Sequence, residues 1–169
     1  MTDSQPVAWL TEGEQDAWRA WIAATLLLPD QLGRDMQDEH GLSFADYEIL
    51  VQLSEHPERR IRMSDLAERT LSSRSRLSHQ IARMENAGLV ERQQCDDDRR
   101  GTFAVLTEHG WSTIVAAAPD HVASVRRYLI EPLGHERFTE LGRMCQAIVE
   151  HLDDRGDRGS SEGDGRVDL

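Results

Sequence analysis

The chain contains no lysine. All 19 of its basic residues are arginine, they face 31 acids, and the formal net charge is −12. A uniformly cationic surface is therefore excluded, and any polyanion has to be met by one local segment. Cysteine is scarce: Cys95 and Cys145 stand alone, without metal-type spacing, which fits reduced thiols in a cytoplasmic setting. No apolar run approaches the roughly 18 residues that span a bilayer. The opening "MTDSQPVAWL" has no positive flank before an apolar stretch, so neither a membrane partner nor a secretory leader is expected. Gly-rich phosphate loops, nucleophile elbows and metal-hydrolase motifs are missing too, which argues against an enzyme. The histidines (40, 56, 79, 109, 121, 135 and 151) form no tight cluster with Cys or Asp along the chain. No metal and no cofactor is expected.

What is there is organised. With 169 residues and 38% apolar content, the chain makes one domain, or one domain with an extension. From Glu58 to Arg100 ten arginines meet eight acids, a local net of +2 in a strongly acidic chain. "TEGE" at Thr11–Glu14 has capping-box spacing and opens a long helix. Trp18, Ile22, Leu26, Leu32 and Met36 lie broadly on one side of it, Pro29 should kink it, and Gly41 stops it. Ser43 and Asp46 restart a helix that carries Tyr47, Leu50 and Val51 and ends near "HPERR". "IRM" at Ile61–Met63 suits only an edge strand, and Ser64 is the expected cap of a short helix, "DLAERTL".

The next helix, capped by Ser72 or Ser73, repeats Leu77, Ile81 and Met84 at i, i+4 and i+7, one buried stripe. Its other side collects Ser75, Arg76, His79 and Arg83, with Arg74 in the first turn. Gly88 stops it. "LVERQQ" and "TFAVL" alternate as strands around the turn "CDDDRRG", a β-hairpin with a charged tip. Thr107 starts a helix carrying Trp111, Ile114, Val115, Ala118, Val122, Val125 and Leu129, with a kink or break expected at Pro119. After Pro132 and Gly134, a last helix sets Phe138, Leu141, Cys145, Ile148 and Leu152 at steps of 3, 4, 3, 4, an a/d seam. The segment 153–169 is rich in Gly, Ser and Asp and is expected to be a disordered tail.

Residues 43–110 resemble the winged helix-turn-helix of MarR-type transcriptional regulators. The likeness is carried by "LSFADYEILVQL", "MSDLAERT", "SRSRLSHQIARMENAGLVER" and "DDDRRGTFAVLTEHG", in that order. It implies a mainly α (α+β) fold: residues 1–10 an N-terminal arm, 11–152 the MarR-type domain, 43–110 its winged helix-turn-helix, and 11–40 and 111–152 its dimerisation helices. It also implies a homodimer that binds a pseudo-palindromic operator in double-stranded DNA, most simply as a repressor.

A major groove about 12 Å wide accepts an α-helix, and arginine is well shaped to read guanine. The candidate DNA contacts are therefore Ser73, Arg74, Ser75, Arg76, His79 and Arg83 on the recognition helix. In the wing, the resemblance has Asp98 brace Arg100, which enters the minor groove, with Arg99 as a second candidate. Phe138, Leu141, Cys145, Ile148 and Leu152 are the expected dimer interface. Family likeness also implies a small, often aromatic effector, with Trp18, Trp21, Tyr47 and Arg34 as candidate pocket residues. Two other readings stand beside this one: redox sensing through Cys95, and a dimeric winged-helix interaction module without DNA binding, which the net acidity favours.

Overall fold

The computed structural model describes residues 7–94 and 101–160, with 154–160 by backbone alone. Two compact units divide at Ser124: one runs from the N-terminus to Ser124, the other from Val125 onward. No helix among the described residues is long and apolar enough to cross a membrane.

Helix α1 (Glu12–His40) begins with the expected capping box. The Thr11 N–H donates to Glu14 Oε2 at 2.7 Å, and the Glu14 N–H donates to Thr11 Oγ1 at 3.3 Å. Pro29 lies inside the helix without ending it, and Gly41 closes it with a φ of 66°. Of the apolar side read from the sequence, only Leu32 and Met36 are buried; Trp18 is 56% and Leu26 68% exposed. Helix α2 (Phe44–Glu55) follows, with Ser43 as its N-cap.

Strand β1 (Arg60–Arg62) leads into α3 (Met63–Arg69). The expected cap does not hold: Arg62 is the N-cap position and makes no side-chain cap bond. Ser64 lies inside the first turn, where its hydroxyl donates to Asp65 instead. Helix α4 (Arg74–Asn86) is capped by Ser73, whose hydroxyl accepts the Arg76 N–H at 3.2 Å. At its end Gly88 takes a φ of 71°, the left-handed turn that glycine adopts at least cost.

Strands β2 (Val90–Gln94) and β3 (Thr102–Leu106) form the expected hairpin, and β1 adds on the far side in the order β1-β3-β2, all antiparallel. Helix α5 (Glu108–Val125) runs through Pro119 unbroken. Pro119 is on the exposed side, where losing one ladder bond leaves a carbonyl that water can satisfy.

The core gathers Ile49, Leu50 and Leu53 of α2, Leu66 of α3, Leu77, Ile81 and Met84 of α4, Ala104 and Leu106 of β3, and Ile114 and Ala117 of α5. Sheet and helices thus cover one apolar mass, and α4 turns only one stripe toward it.

The second unit starts with a π-helical turn (Arg126–Ile130) and a short helix α6 (Glu131–Leu133), then α7 (His135–Ser160). The tail expected from residue 153 onward does not hold for 153–160, whose helical backbone continues α7 to Ser160, and residues 161–169 lie outside the described residues. No proline interrupts that stretch, and a glycine in a helix costs only about 1 kcal/mol.

Candidate nucleic-acid interface

Helix α4 owes its orientation to two opposite demands. Leu77, Ile81 and Met84 are almost wholly buried, while Ser73, Arg74, Ser75, Arg76, His79 and Arg83 are all exposed, as the sequence pattern requires. A buried network fixes the helix in rotation. Asp46 on α2, itself buried, accepts from Gln80 Nε2 at 3.3 Å and from Arg83 Nη2 at 2.8 Å through one oxygen. Its other oxygen accepts the Ser43 hydroxyl at 2.6 Å. Arg83 is therefore a brace as well as an exposed cation, a role that the sequence did not reveal.

Replacing Asp46 by Ala strands the buried Gln80 amide and releases Arg83. The expected cost is about 1–3 kcal/mol, because an unsatisfied buried donor loses its full solvation. Urea unfolding measures it, and Asp46→Asn, which keeps one acceptor, should lose less.

The wing side carries arginines that the sequence reading passed over. Arg60 and Arg62 flank the buried Ile61 on β1, and their guanidinium carbons lie 4.9 and 5.4 Å from the centre of the Phe103 ring across the ladder. Arg92 on β2 donates to the Ser78 carbonyl at 2.7 Å and pairs with Glu85 at 3.2 Å, tying the hairpin to α4. Together Arg62, Arg74, Arg92, Ser64, Ser78 and Thr102 line an open groove of about 470 Å³ between α4 and the hairpin. The alternation in "RIRM" was the available signal for Arg60 and Arg62. Asp98, Arg99 and Arg100 of the wing tip, and Cys95 at its base, lie outside the described residues.

A separate cavity of about 310 Å³ is lined by Phe44, Tyr47, Glu48, Val51, Gln52, Arg69, Thr70, Leu71 and His121. The His121 ring lies 4.6 Å from that of Tyr47. Burial pushes the His121 imidazole below its ordinary value and the Glu48 carboxyl above its own. Leu71, in the turn that enters α4, is 96% exposed with a φ of 48°, a conformation that costs a non-glycine residue roughly 1–2 kcal/mol.

Of the four candidate pocket residues, only Tyr47 lines this cavity. Arg34 is on the surface of α1, held by Asp30 and Gln31. Trp18 and Arg34 are separated by about 24 Å of helix at 1.5 Å per residue, so one small ligand cannot touch both within a protomer. Trp18 and Trp21 are exposed.

Because its folded-state pKa is raised, Glu48 binds protons more readily in the folded chain, so its effect on stability is unfavourable once pH rises above the ordinary carboxylate value. Glu48→Gln is therefore expected to raise the denaturant midpoint at pH 7. At about pH 3 and below, under the ordinary glutamate value, the carboxyl is protonated in both states and the substitution should leave the midpoint unchanged.

Along α7, Phe138, Leu141 and Cys145 are half-buried, while Ile148 is 51% and Leu152 58% exposed. In the single chain the expected dimer seam is therefore partly covered at Phe138, Leu141 and Cys145 and open at Ile148 and Leu152.

A helix-turn-helix followed by a β-hairpin, which β1 completes to a three-stranded antiparallel sheet, with arginines on the outer side of the second helix, defines a winged-helix protein. A model of the MarR family matches residues 40–101. The crystal structure of AbsC, a MarR family transcriptional regulator from Streptomyces coelicolor, is 55% identical, with a TM-score of 0.82 over 88% of this chain and 99% of that one. Sco3205, a MarR family transcriptional regulator from the same organism solved in complex with DNA, is 41% identical, with a TM-score of 0.83 over 88% of this chain and 93% of that one. The regulator PecS of Dickeya dadantii is 26% identical over 132 residues, 78% of this chain and 79% of its own length. The chain belongs to the MarR family of transcriptional regulators.

Proposed function

We propose that the protein is a homodimeric, sequence-specific DNA-binding repressor whose affinity for a pseudo-palindromic operator falls when a small aromatic ligand binds. The observation that carries this reading is the division of α4: Leu77, Ile81 and Met84 inside, Arg74, Arg76 and His79 outside. Nothing in the fold requires that outer face to be arginine. A major groove does, because a guanidinium donates twice to guanine O6 and N7. The groove beside it, with Arg62, Arg74 and Arg92, suits the phosphate backbone that flanks a helix in the major groove. Arg99 and Arg100 in the wing tip are the proposed minor-groove contacts, with Asp98 as the brace. The relative Sco3205 was solved in complex with DNA, which supports DNA as the partner of this chain.

Dimerisation is supported by apolar surface that the single chain leaves open. Trp18, Ile22 and Leu26 on α1 are exposed, as are Met144, Ile148 and Leu152 on α7. Patches of this kind mark interaction surfaces, and two recognition helices about 34 Å apart are needed to read half-sites one turn apart. For the effector, the cavity of Tyr47, Phe44 and His121, with Arg69 at its wall, offers aromatic rings and a cation to a small aromatic acid. Such a ligand acts only if it prefers the state that fits DNA poorly.

Salt titration tests the central claim against the interaction-module reading that the charge of −12 favours. With about four phosphates neutralised per protomer, the log affinity of the dimer for its operator should fall with log salt at a slope of about −7. A flat dependence, or no binding to the DNA upstream of its own gene, rejects the DNA-binding reading. Adding small aromatic acids to the same mobility shift tests relief.

A further inference from the structure

We infer that the outer face of the sheet is a phosphate-binding strip for the duplex DNA that flanks the bases read by α4, carried by Arg60 and Arg62 and positioned by Phe103. The inference rests on the DNA-binding reading and extends it to β1, an element outside both the recognition helix and the wing tip. Strand alternation creates the strip. Ile61 and Ala104 face each other on the core side, where both are buried, and Arg92 on that side reaches the Ser78 carbonyl of α4. Arg60, Arg62, Phe103 and Val105 therefore share the side turned away from the core, with Glu91 and Gln93 of β2 beside them.

Two observations point to a polyanion. Arg62 is half-buried, its guanidinium lies 5.4 Å from the centre of the Phe103 ring, and none of its side-chain N–H groups has an acceptor among the described residues. A guanidinium carries five donors in a rigid fork; held in place without an acceptor, it is prepared for an anion. Arg62 also joins two recesses. One is the groove of about 470 Å³ beside α4, and the other, of about 200 Å³, is lined by His56, Arg60, Arg69 and Phe103 as well. The strip is thus continuous with the surface proposed for the phosphates next to α4. In the smaller recess Arg60, Arg62 and Arg69 meet two acids, Glu58 and Asp65, a local cationic excess in a chain of charge −12. Glu58 accepts from Arg60 Nε at 2.6 Å, which uses one of five donors and steadies the group.

The chemistry selects duplex DNA over a single strand or a small anion. Single-strand binding needs an aromatic face free for a base, and the Phe103 ring is engaged by two guanidinium groups, at 4.9 and 5.4 Å. Two arginines one strand repeat apart, about 6.8 Å along β1, suit successive phosphates of one backbone better than one small ion. Phe103 acts through them. Its cation–π contacts hold both guanidinium groups before DNA arrives, so less side-chain freedom is lost on binding. Phosphate contacts of this kind add affinity without reading sequence.

The test is fluorescence anisotropy with the full-length protein, on the operator extended at both ends by unrelated duplex and on a duplex of unrelated sequence alone. The double variant Arg60→Gln, Arg62→Gln should weaken both complexes by a similar factor, roughly tenfold or more, so that their ratio is kept. Its log–log salt slope on the operator should flatten from about −7 to about −3.6, as expected when two phosphate contacts per protomer are lost. Phe103→Leu, which keeps both charges, should weaken binding about threefold at an unchanged slope, and Phe103→Tyr should restore it. Should Phe103→Leu fold poorly, the double variant decides, since it alters only outward-facing side chains. Trimming the flanking duplex should bring wild type and double variant together. An affinity within twofold of wild type with the same slope, or a wild-type preference for single-stranded flanks, overturns the strip and leaves the DNA-binding reading standing. A wild type that binds no duplex rejects that reading and the strip with it.

Discussion

Gly110→Ala should destabilise the winged-helix unit by about 3 kcal/mol, the upper end of what forced overpacking costs, or more. A Cβ built on Gly110 meets the Leu89 carbonyl oxygen at 2.1 Å and Leu106 Cδ1 at 2.7 Å. The first of these is backbone and cannot turn aside. Gly110 is fixed in place from the other direction as well: its N–H donates to Thr107 Oγ1 at 2.9 Å, and that hydroxyl donates to the Gly88 carbonyl at 2.7 Å. The start of α5 is thus stitched to the loop that ends α4, and only a residue without a side chain lets the two backbones close. Gly142→Ala on α7 is the control, because a Cβ there meets nothing within 4 Å; it should be neutral or stabilise by up to about 1 kcal/mol. If the two variants unfold at the same urea concentration, the close approach at Leu89 is not a constraint.

The double substitution Arg74→Ala, Arg76→Ala should leave stability nearly unchanged and remove most operator affinity. Both side chains are exposed, and the Ser73 cap on the Arg76 N–H is a backbone contact that alanine keeps. If each arginine reads a base, each loss is about 1–3 kcal/mol, so the pair should lower affinity by roughly 30-fold to 10⁴-fold. Fluorescence anisotropy with a labelled operator measures it, and unchanged thermal melts show that the fold is intact. A loss of less than threefold would remove α4 from the DNA-binding surface and leave the interaction module as the better reading. Losses that are uniform across operator variants would make these residues phosphate contacts rather than base readers.

Much of this was legible along the chain. Caps and stops are local chemistry: Thr11 with Glu14, Ser43 with Asp46 and Ser73 each satisfy amide donors within one turn, and Gly41 and Gly88 take the left-handed turn. Periodicity then assigned the faces of α4 correctly, because a helix 13 residues long with three large apolar side chains on one stripe has only one side to bury. Where local signals competed, the reading failed. Ser64 looked like a cap and is not. Pro119 was expected to kink or break α5, and the helix runs on through it without a break. The Gly-containing stretch after residue 153 was expected to be a tail and continues α7 to Ser160.

The groups that needed the whole fold are those joined across long separations. Asp46 meets Arg83, His40 meets Asp120, and Tyr47 lies tilted against His121; no spacing rule connects such pairs, because loop closure sets them together only once the core has formed. The same applies to apolar residues. Trp18 and Leu26 share the apolar side of α1 with the buried Leu32 and Met36, and Ile148 and Leu152 continue the seam of α7, yet the single chain leaves all four exposed.

Local order of the chain determined the helices, the hairpin and the arginine-bearing side of α4, since each depends on contacts within a few residues. Which polar groups are brought into reach of one another, and which apolar sides remain without a cover, was decided only by packing, since burial is a property of neighbours that the linear order does not name.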